Sequence, residues 1–362
     1  MKTLTLRRCC VTIAALSLTH LAIAQSATPA AVKPQPSVLV DAVIQQMNSR
    51  YVHPEVAKAA EAALRAKLRA HAFDGAATGQ ALAEQVTDEL VKVTHDKHIH
   101  VRYSEEPLPP RSDAQPSAEE KSALYEMERQ HNFGVERVER LPFNIGYIDL
   151  QGFADLADAG DTFAAAMTTI AHTDALIVDL RQNHGGDPAT VAFALSYLFD
   201  QRTRLNDLHW REGDRTEQYW TQDWVPGRRF GQKKPVYVLT SGQTFSGGEE
   251  FAYDLKNLKR AVLVGEVTGG GANPGDTYPL TPHFEMFVPT GRAVSPITHT
   301  SWEGTGVQPD VRVEAELALD KAQSLLLRQM LEREQSPRRK ESLQRRLDTL
   351  DGKIAQGMNR AR

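Results

Sequence analysis

Thr240-Ser-Gly-Gln-Thr-Phe-Ser246-Gly-Gly-Glu-Glu-Phe-Ala-Tyr-Asp-Leu-Lys256 follows a short apolar run, Val236-Tyr-Val-Leu239, bounded by Pro235 and a polar turn. The run reads as a buried strand, and Phe251, Leu255 and Leu258 repeat at helical spacing beyond it. Ser246 therefore falls at a junction from loop to helix, followed by two glycines that let another backbone approach. Two readings of the serine are open. Ser246-Gly-Gly-Glu249 fits the S-x-x-E capping box, in which Glu249 starts a helix and tolerates replacement by glutamine. A hydroxyl near the positive end of a helix dipole, beside backbone N–H groups, also suits a nucleophile and the oxyanion it creates.

Strands and helices alternate on both sides of this segment. Ile145-Gly-Tyr-Ile148, Ala175 to Leu180 and Ala261 to Val264 read as further strands, and Ala164 to Ile170, Thr190 to Leu198 and Gly248 to Leu258 as helices. Such alternation implies an α/β core over residues 143–312. Residues 38–105 read as a small helical N-terminal domain, with Leu39, Val40, Val43, Ile44 and Met47 on one helix face and Leu82, Val86 and Leu90 on another. A proline-rich stretch, Pro107 to Pro116, opens a connector over 106–142. Residues 313–362 read as a charged tail of one or two exposed helices.

The N-terminus is basic at Arg7 and Arg8, then apolar, then Ala22-Ile23-Ala24, the pattern of a cleaved signal peptide over 1–24 with a flexible lead-in over 25–37. Both cysteines, Cys9 and Cys10, lie in the removed part, so the mature chain lacks the means for a disulfide, a thiolate metal site or a cysteine nucleophile. A periplasmic or secreted bacterial location follows as an expectation. No other apolar run is long enough to cross a bilayer. The formal net charge is −4 and becomes more negative without Lys2, Arg7 and Arg8, which argues against a nucleic-acid partner.

Three other segments carry chemistry-bearing residues. Asp179-Leu-Arg-Gln-Asn-His-Gly185-Gly186 is a strand running into a Gly-Gly turn, either an ordinary joint or a source of oxyanion-binding N–H groups, and it lacks the lysine of a phosphate loop. Thr94-His95-Asp-Lys-His98-Ile-His100 holds three histidines, open to a metal site, a structural role or a general base. Ser301-Trp-Glu303-Gly-Thr-Gly-Val places a carboxylate beside glycines, where it is either solvated or able to orient a histidine.

Five segments in order resemble the tail-specific, C-terminal-processing serine peptidases: Asp96-Lys-His98; Ile145-Gly-Tyr-Ile148 with Phe153; Asp179-Leu-Arg-x-Asn-x-Gly-Gly186; Thr240-Ser-x-x-Thr-x-Ser246 running to Gly265-Glu-x-Thr268; and Trp302-Glu-Gly-x-Gly-Val-x-Pro-Asp310. Tyr51-Val-x-Pro54 and Asp96-Lys-His98 are closer to the branch with interphotoreceptor retinoid-binding protein and tricorn protease. The resemblance implies a crotonase/Clp-protease-like curved α/β core after the helical domain. It also implies catalysis by Ser246, His98 and Glu303, with Gly185, Gly186 and Gly247 around the oxyanion. Gly271 stands where the lysine-dyad branch has its lysine, which excludes a Ser/Lys dyad there. Too few residues separate His98 from Gly146 for a PDZ domain, so tail recognition is not carried over.

The reading that follows is a serine endopeptidase acting on extended or unfolded polypeptides, with no metal or organic cofactor called for. Its rivals are a carrier of an apolar ligand on the same fold and a hydrolase of small esters or amides.

Overall fold

The structure, a computed structural model, describes residues 35–109 and 117–360. The expected signal peptide lies outside the described residues, as does most of the lead-in.

Leu39, Val40, Val43, Ile44 and Met47 form the buried face of α1 (Pro36–Arg50), which packs with α2 (Pro54–Arg69) and α3 (Gly79–Thr94). The Thr78 hydroxyl accepts the Ala81 N–H at the start of α3, and His95 closes its end in the left-handed conformation at φ 56°. That turn releases the chain into β1 (His100–Tyr103). The stretch expected as a connector holds α4 (Ala118–Gln130), begun by a Ser117–Glu120 capping box, and then β2 (Val135–Leu141).

The core follows as β3 (Ile145–Leu150), α5 (Leu156–Ile170), β4 (Ala175–Asp179), α6 (Pro188–Ser196), β5 (Arg204–Trp210), β6 (Arg215–Trp220), β7 (Val236–Thr240), α7 (Gly247–Asn257) and β8 (Val262–Gly265). Beyond it come β9 (Gly275–Thr281), β10 (Phe284–Pro289), β11 (Gly291–Val294), β12 (Val311–Arg312), α8 (Ala318–Arg333) and α9 (Pro337–Arg360).

Six strands make the central sheet in the order β12-β8-β7-β4-β3-β2, parallel except for β2. β4 and β7 are buried at every position, which is why they read as unbroken apolar runs. One face of the sheet packs on α5, α6 and α7 through Phe163, Met167, Val191 and Phe251. The other face is covered by α8 and α9. The C-terminal segment is therefore not a pair of exposed helices. Leu326 and Leu327 of α8 and Leu343, Leu347 and Leu350 of α9 are buried with Tyr147, Ile177 and Leu239 of the strands. A parallel sheet needs cover on both faces, and the tail's leucine stripe supplies one of them.

Two antiparallel sheets complete the molecule, β1-β10-β9 beside the N-terminal helices and β11-β5-β6 beside the core. The first carries the chain just after His98, and the second faces the N-terminus of α7 across the cleft described next.

Candidate active site

Ser246 follows β7 and the Gly-Gly turn follows β4, at the carboxyl ends of adjacent parallel strands, where open α/β sheets form their sites. The loop ahead of Ser246 is tied down before the helix begins. The Thr244 hydroxyl donates to Leu180 O, the Ser241 hydroxyl to Arg181 O, and Phe245 N–H to Asn183 O. So held, Ser246 takes φ 52° and ψ −121°, a conformation that costs a non-glycine residue about 1–3 kcal/mol. Its side chain lines a cleft of about 530 Å³ that also takes in His98, Gly186, Gly247, Glu250 and Trp302.

Asn183 welds the two turns together. Its amide donates to Leu150 O, and its carbonyl oxygen accepts Gly185 N–H at 2.9 Å. Gly185 is thus already engaged. The N–H groups of Gly186 and Gly247 make no hydrogen bond among the described residues. The two glycines pack closely, since a β-carbon on Gly247 would stand 3.2 Å from Gly186 N. Gly185 sits at φ 99°, and a β-carbon there would meet the Ser246 β-carbon at 2.6 Å, so only glycine fits.

His98 comes from the turn between α3 and β1. Its N–H donates to Asp96 Oδ1 at 3.0 Å, and its Nδ1 lies 3.7 Å from the same oxygen, too far for a hydrogen bond. Both imidazole nitrogens are buried without a partner, as is Glu303 Oε1. One ligand atom each from Asp96, His98 and Glu303 falls within 4.8 Å of the others. Glu303 Oε2 accepts Ala272 N–H at 2.5 Å, and burial, with Asp96 close by, pushes the Glu303 carboxyl up to about 8. Asp96 is itself fixed by Asn273 Nδ2 at 2.9 Å and Tyr51 Oη at 3.3 Å. These three acidic and imidazole groups are the donor set that a divalent cation could use. His95 and His100 are not part of it; His100 Nδ1–H donates to His98 O and its ring stacks on Phe287.

The structure therefore brings Ser246, His98, Gly186 and Gly247 to one cleft, and sets Glu303 beside His98. Ser246 and His98 are not hydrogen-bonded. The Phe245 ring packs on the imidazole with centroids 4.6 Å apart. Gly271 lies against both rings: a β-carbon on it would stand 2.3 Å from Phe245 Cζ and 2.6 Å from His98 Cε1. A side chain at 271, lysine included, and the imidazole of His98 compete for one space.

Three residues of the site were given no part in it from the sequence. Asp96 lay inside a quoted motif, but its contact with Asn273 joins positions 177 apart. The third is Glu249, and here the expectation of an interchangeable capping residue is wrong. Glu249 is fully buried, and its Oε1 accepts the Thr268 hydroxyl and Gly270 N–H while Oε2 accepts Gly271 N–H and Ser246 N–H. Burial raises its carboxyl, and those four donors pull it back. One side chain thus fixes both Ser246 and the Gly269–Gly271 loop that borders His98.

Residues 144–313 match peptidase family S41, and residues 21–137 match the N-terminal domain of peptidase S41 in eukaryotic IRBP. Carboxyl-terminal-processing peptidase 1, chloroplastic, of Arabidopsis thaliana is 28% identical over 182 residues, covering 50% of this chain and 36% of that protein. The second chloroplastic peptidase of that plant is 27% identical over 175 residues, covering 46% and 31%. The chain spans about a third of the length of these curated relatives. Among solved structures, a lipoprotein from Streptococcus agalactiae has a TM-score of 0.52 at 17% identity, over 83% of this chain and 98% of that one. Mature CPAF has a TM-score of 0.53 at 13% identity, over 78% and 93%. Both share the fold, a mixed α/β core behind a helical N-terminal region. The two family matches follow one another in order, over the helical region and over the core that bears Ser246, and the chain belongs to peptidase family S41.

Proposed function

We propose that this protein is a serine endopeptidase in which Ser246 attacks the scissile carbonyl, His98 removes its proton and Glu303 stabilises the imidazolium. The observation that carries the reading is the strained placement of Ser246 in a cleft with His98, beside two uncommitted N–H groups. Those of Gly186 and Gly247 take the oxyanion, a contribution of about 3 kcal/mol per donor. Gly185 acts indirectly, by holding the turn. His98 has to move to reach Ser246, a contact of the kind that substrate binding completes.

An extended polypeptide suits the shape around the serine. A second hollow of about 550 Å³ lies beyond the Gly-Gly turn and shares His184 and Gly186 with the first. A chain crossing the turn in extended form would occupy both hollows. A carrier of an apolar ligand has no use for a strained serine, a buried imidazole and a carboxylate held together. Export to a periplasm or beyond remains part of the proposal, on the N-terminal pattern alone; no helix of the described residues is long and apolar enough to cross a membrane.

Glu303 makes the mechanism testable by pH. Its carboxyl is raised from 4.5 to about 8, so the charge that pairs with the imidazolium appears only as pH rises through about 8. Cleavage of unfolded casein is expected to climb across that range. The sign for stability is opposite: a carboxyl raised on folding favours the fold below 4.5 and loses that benefit as pH rises towards 8. Glu303→Gln should lower kcat by about 10²–10⁴ and remove the climb, yet melt no lower than wild type at alkaline pH. A variant with wild-type activity and the same pH profile would remove Glu303 from the mechanism.

A further inference from the structure

Glu250 stands one helical turn behind Ser246, on the wall of the same cleft, and is only 4% exposed. Its one side-chain partner among the described residues is Asn206 Nδ2 at 3.5 Å, the outer limit of a hydrogen bond. Asp254, a further turn along α7, is 1% exposed, and neither of its oxygens has a partner; nor does the buried Asn206 Oδ1. Among the described residues no basic side chain bears on either carboxylate. Asp187, the other acid on this wall, is different, because its carboxylate already accepts the N–H groups of Leu156, Ala189 and Thr190 and the Thr190 hydroxyl. Glu250, on the wall of an open cleft, is left with one marginal donor, and Asp254, a turn behind it, with none among the described residues.

Buried carboxylates persist in folded proteins when a cation or donors meet them, or when they hold a proton. Burial pushes Glu250 up to about 8, and burial together with Glu250 raises Asp254 well above its ordinary value. Helical side chains lean towards the helix N-terminus, so the Glu250 carboxyl is directed back towards the Ser246 end. Four residues of helix span about 6 Å, a reach that an extended lysine or arginine side chain matches and a short apolar one does not. The walls between are Leu208, Ala293, Tyr219 and Trp302, apolar and aromatic surfaces that accept the methylene stem and the flat guanidinium.

Resting on the peptidase reading, we propose that the cleft is a specificity pocket for a cationic side chain, and that the residue whose carbonyl Ser246 attacks is arginine or lysine with Glu250 as its counter-ion. The substrate supplies the cation that the fold leaves out, while Asn206 holds the Glu250 carboxylate from behind.

The test uses the full chain carrying Ser246→Ala and pairs of fluorescent peptides that differ only in arginine against citrulline, which has the same shape without the charge. Binding is read by anisotropy with EDTA present, so that no adventitious metal bridges the carboxylates. The arginine peptide should bind about tenfold tighter or more, and adding Glu250→Gln should bring the pair within about twofold. Equal affinity for the two peptides would overturn the proposal, as would a preference that survives Glu250→Gln. The wild-type pair reads the pocket even if the second substitution disturbs folding, which a melting curve reports. Turnover by the chain with Ser246 intact separates the two claims. Cleavage with no preference for arginine or lysine sinks the pocket and leaves the peptidase standing. An arginine preference in binding with no cleavage of any peptide keeps the pocket and sinks the peptidase.

Discussion

Ser246→Ala is expected to abolish cleavage of an unfolded polypeptide, lowering kcat by about 10⁴–10⁶ while leaving the fold intact. The size of the effect follows from what the hydroxyl does: without it no acyl intermediate forms, and only binding and the Gly186 and Gly247 donors remain. The stability change should be small, within about 1 kcal/mol, because Glu249 bonds the Ser246 backbone N–H and that contact survives. Alanine keeps the positive φ that serine has, so the strain at this position is neither relieved nor increased. Casein hydrolysis with matched melting curves checks both halves.

Glu249→Gln is expected to damage the protein by another route. A glutamine amide puts an NH₂ group where one carboxylate oxygen now stands, facing either the Gly271 and Ser246 N–H groups or the Thr268 hydroxyl and Gly270 N–H. Buried donors left without an acceptor cost about 1–3 kcal/mol each, so a loss of about 3 kcal/mol in stability is expected. Activity should fall about 10²-fold or more as well, because Ser246 and the loop beside His98 shift together, and displacements near 1 Å have that effect. The pattern distinguishes the two glutamates: Glu249→Gln lowers both melting temperature and rate, Glu303→Gln the rate alone. Urea unfolding beside kinetics reads the difference, and a Glu249→Gln protein of unchanged stability would contradict the role given to its four bonds.

Much of this was legible in the chain. The strands that became β3, β4, β7 and β8 were read within two residues at either end, because strands buried on both faces are continuous apolar runs. The antiparallel strands were not. β6 is Arg-Thr-Glu-Gln-Tyr-Trp and β9 contains Pro279, and neither run carries a periodic apolar signal. Their state is set by pairing with β5 and β10, which is tertiary information. In the C-terminal segment the leucines of α9 repeat at helical spacing, but the arginines and glutamates between them dominate composition and hid the stripe.

The site divides in the same way. Ser246, the Gly-Gly turn and the Asp96-x-His98 segment stand out as local patterns. Which of two adjacent glycines has a free N–H depended on Asn183, two residues earlier, folding its side chain back. Glu249 was the hardest, since the spacing of a capping box is real and describes only one of its four bonds. Glu250 follows it in sequence and gave no signal at all, because a lone acidic residue on a helix is ordinarily solvated.

The central claim is that Ser246 is a nucleophile activated by His98. Reaction of the folded protein with a fluorophosphonate, followed by peptide mass spectrometry, reads it directly. A single adduct on Ser246 that disappears in His98→Ala and in heat-unfolded protein is the predicted result; a folded protein that takes up no probe, or takes it up elsewhere, would contradict the account.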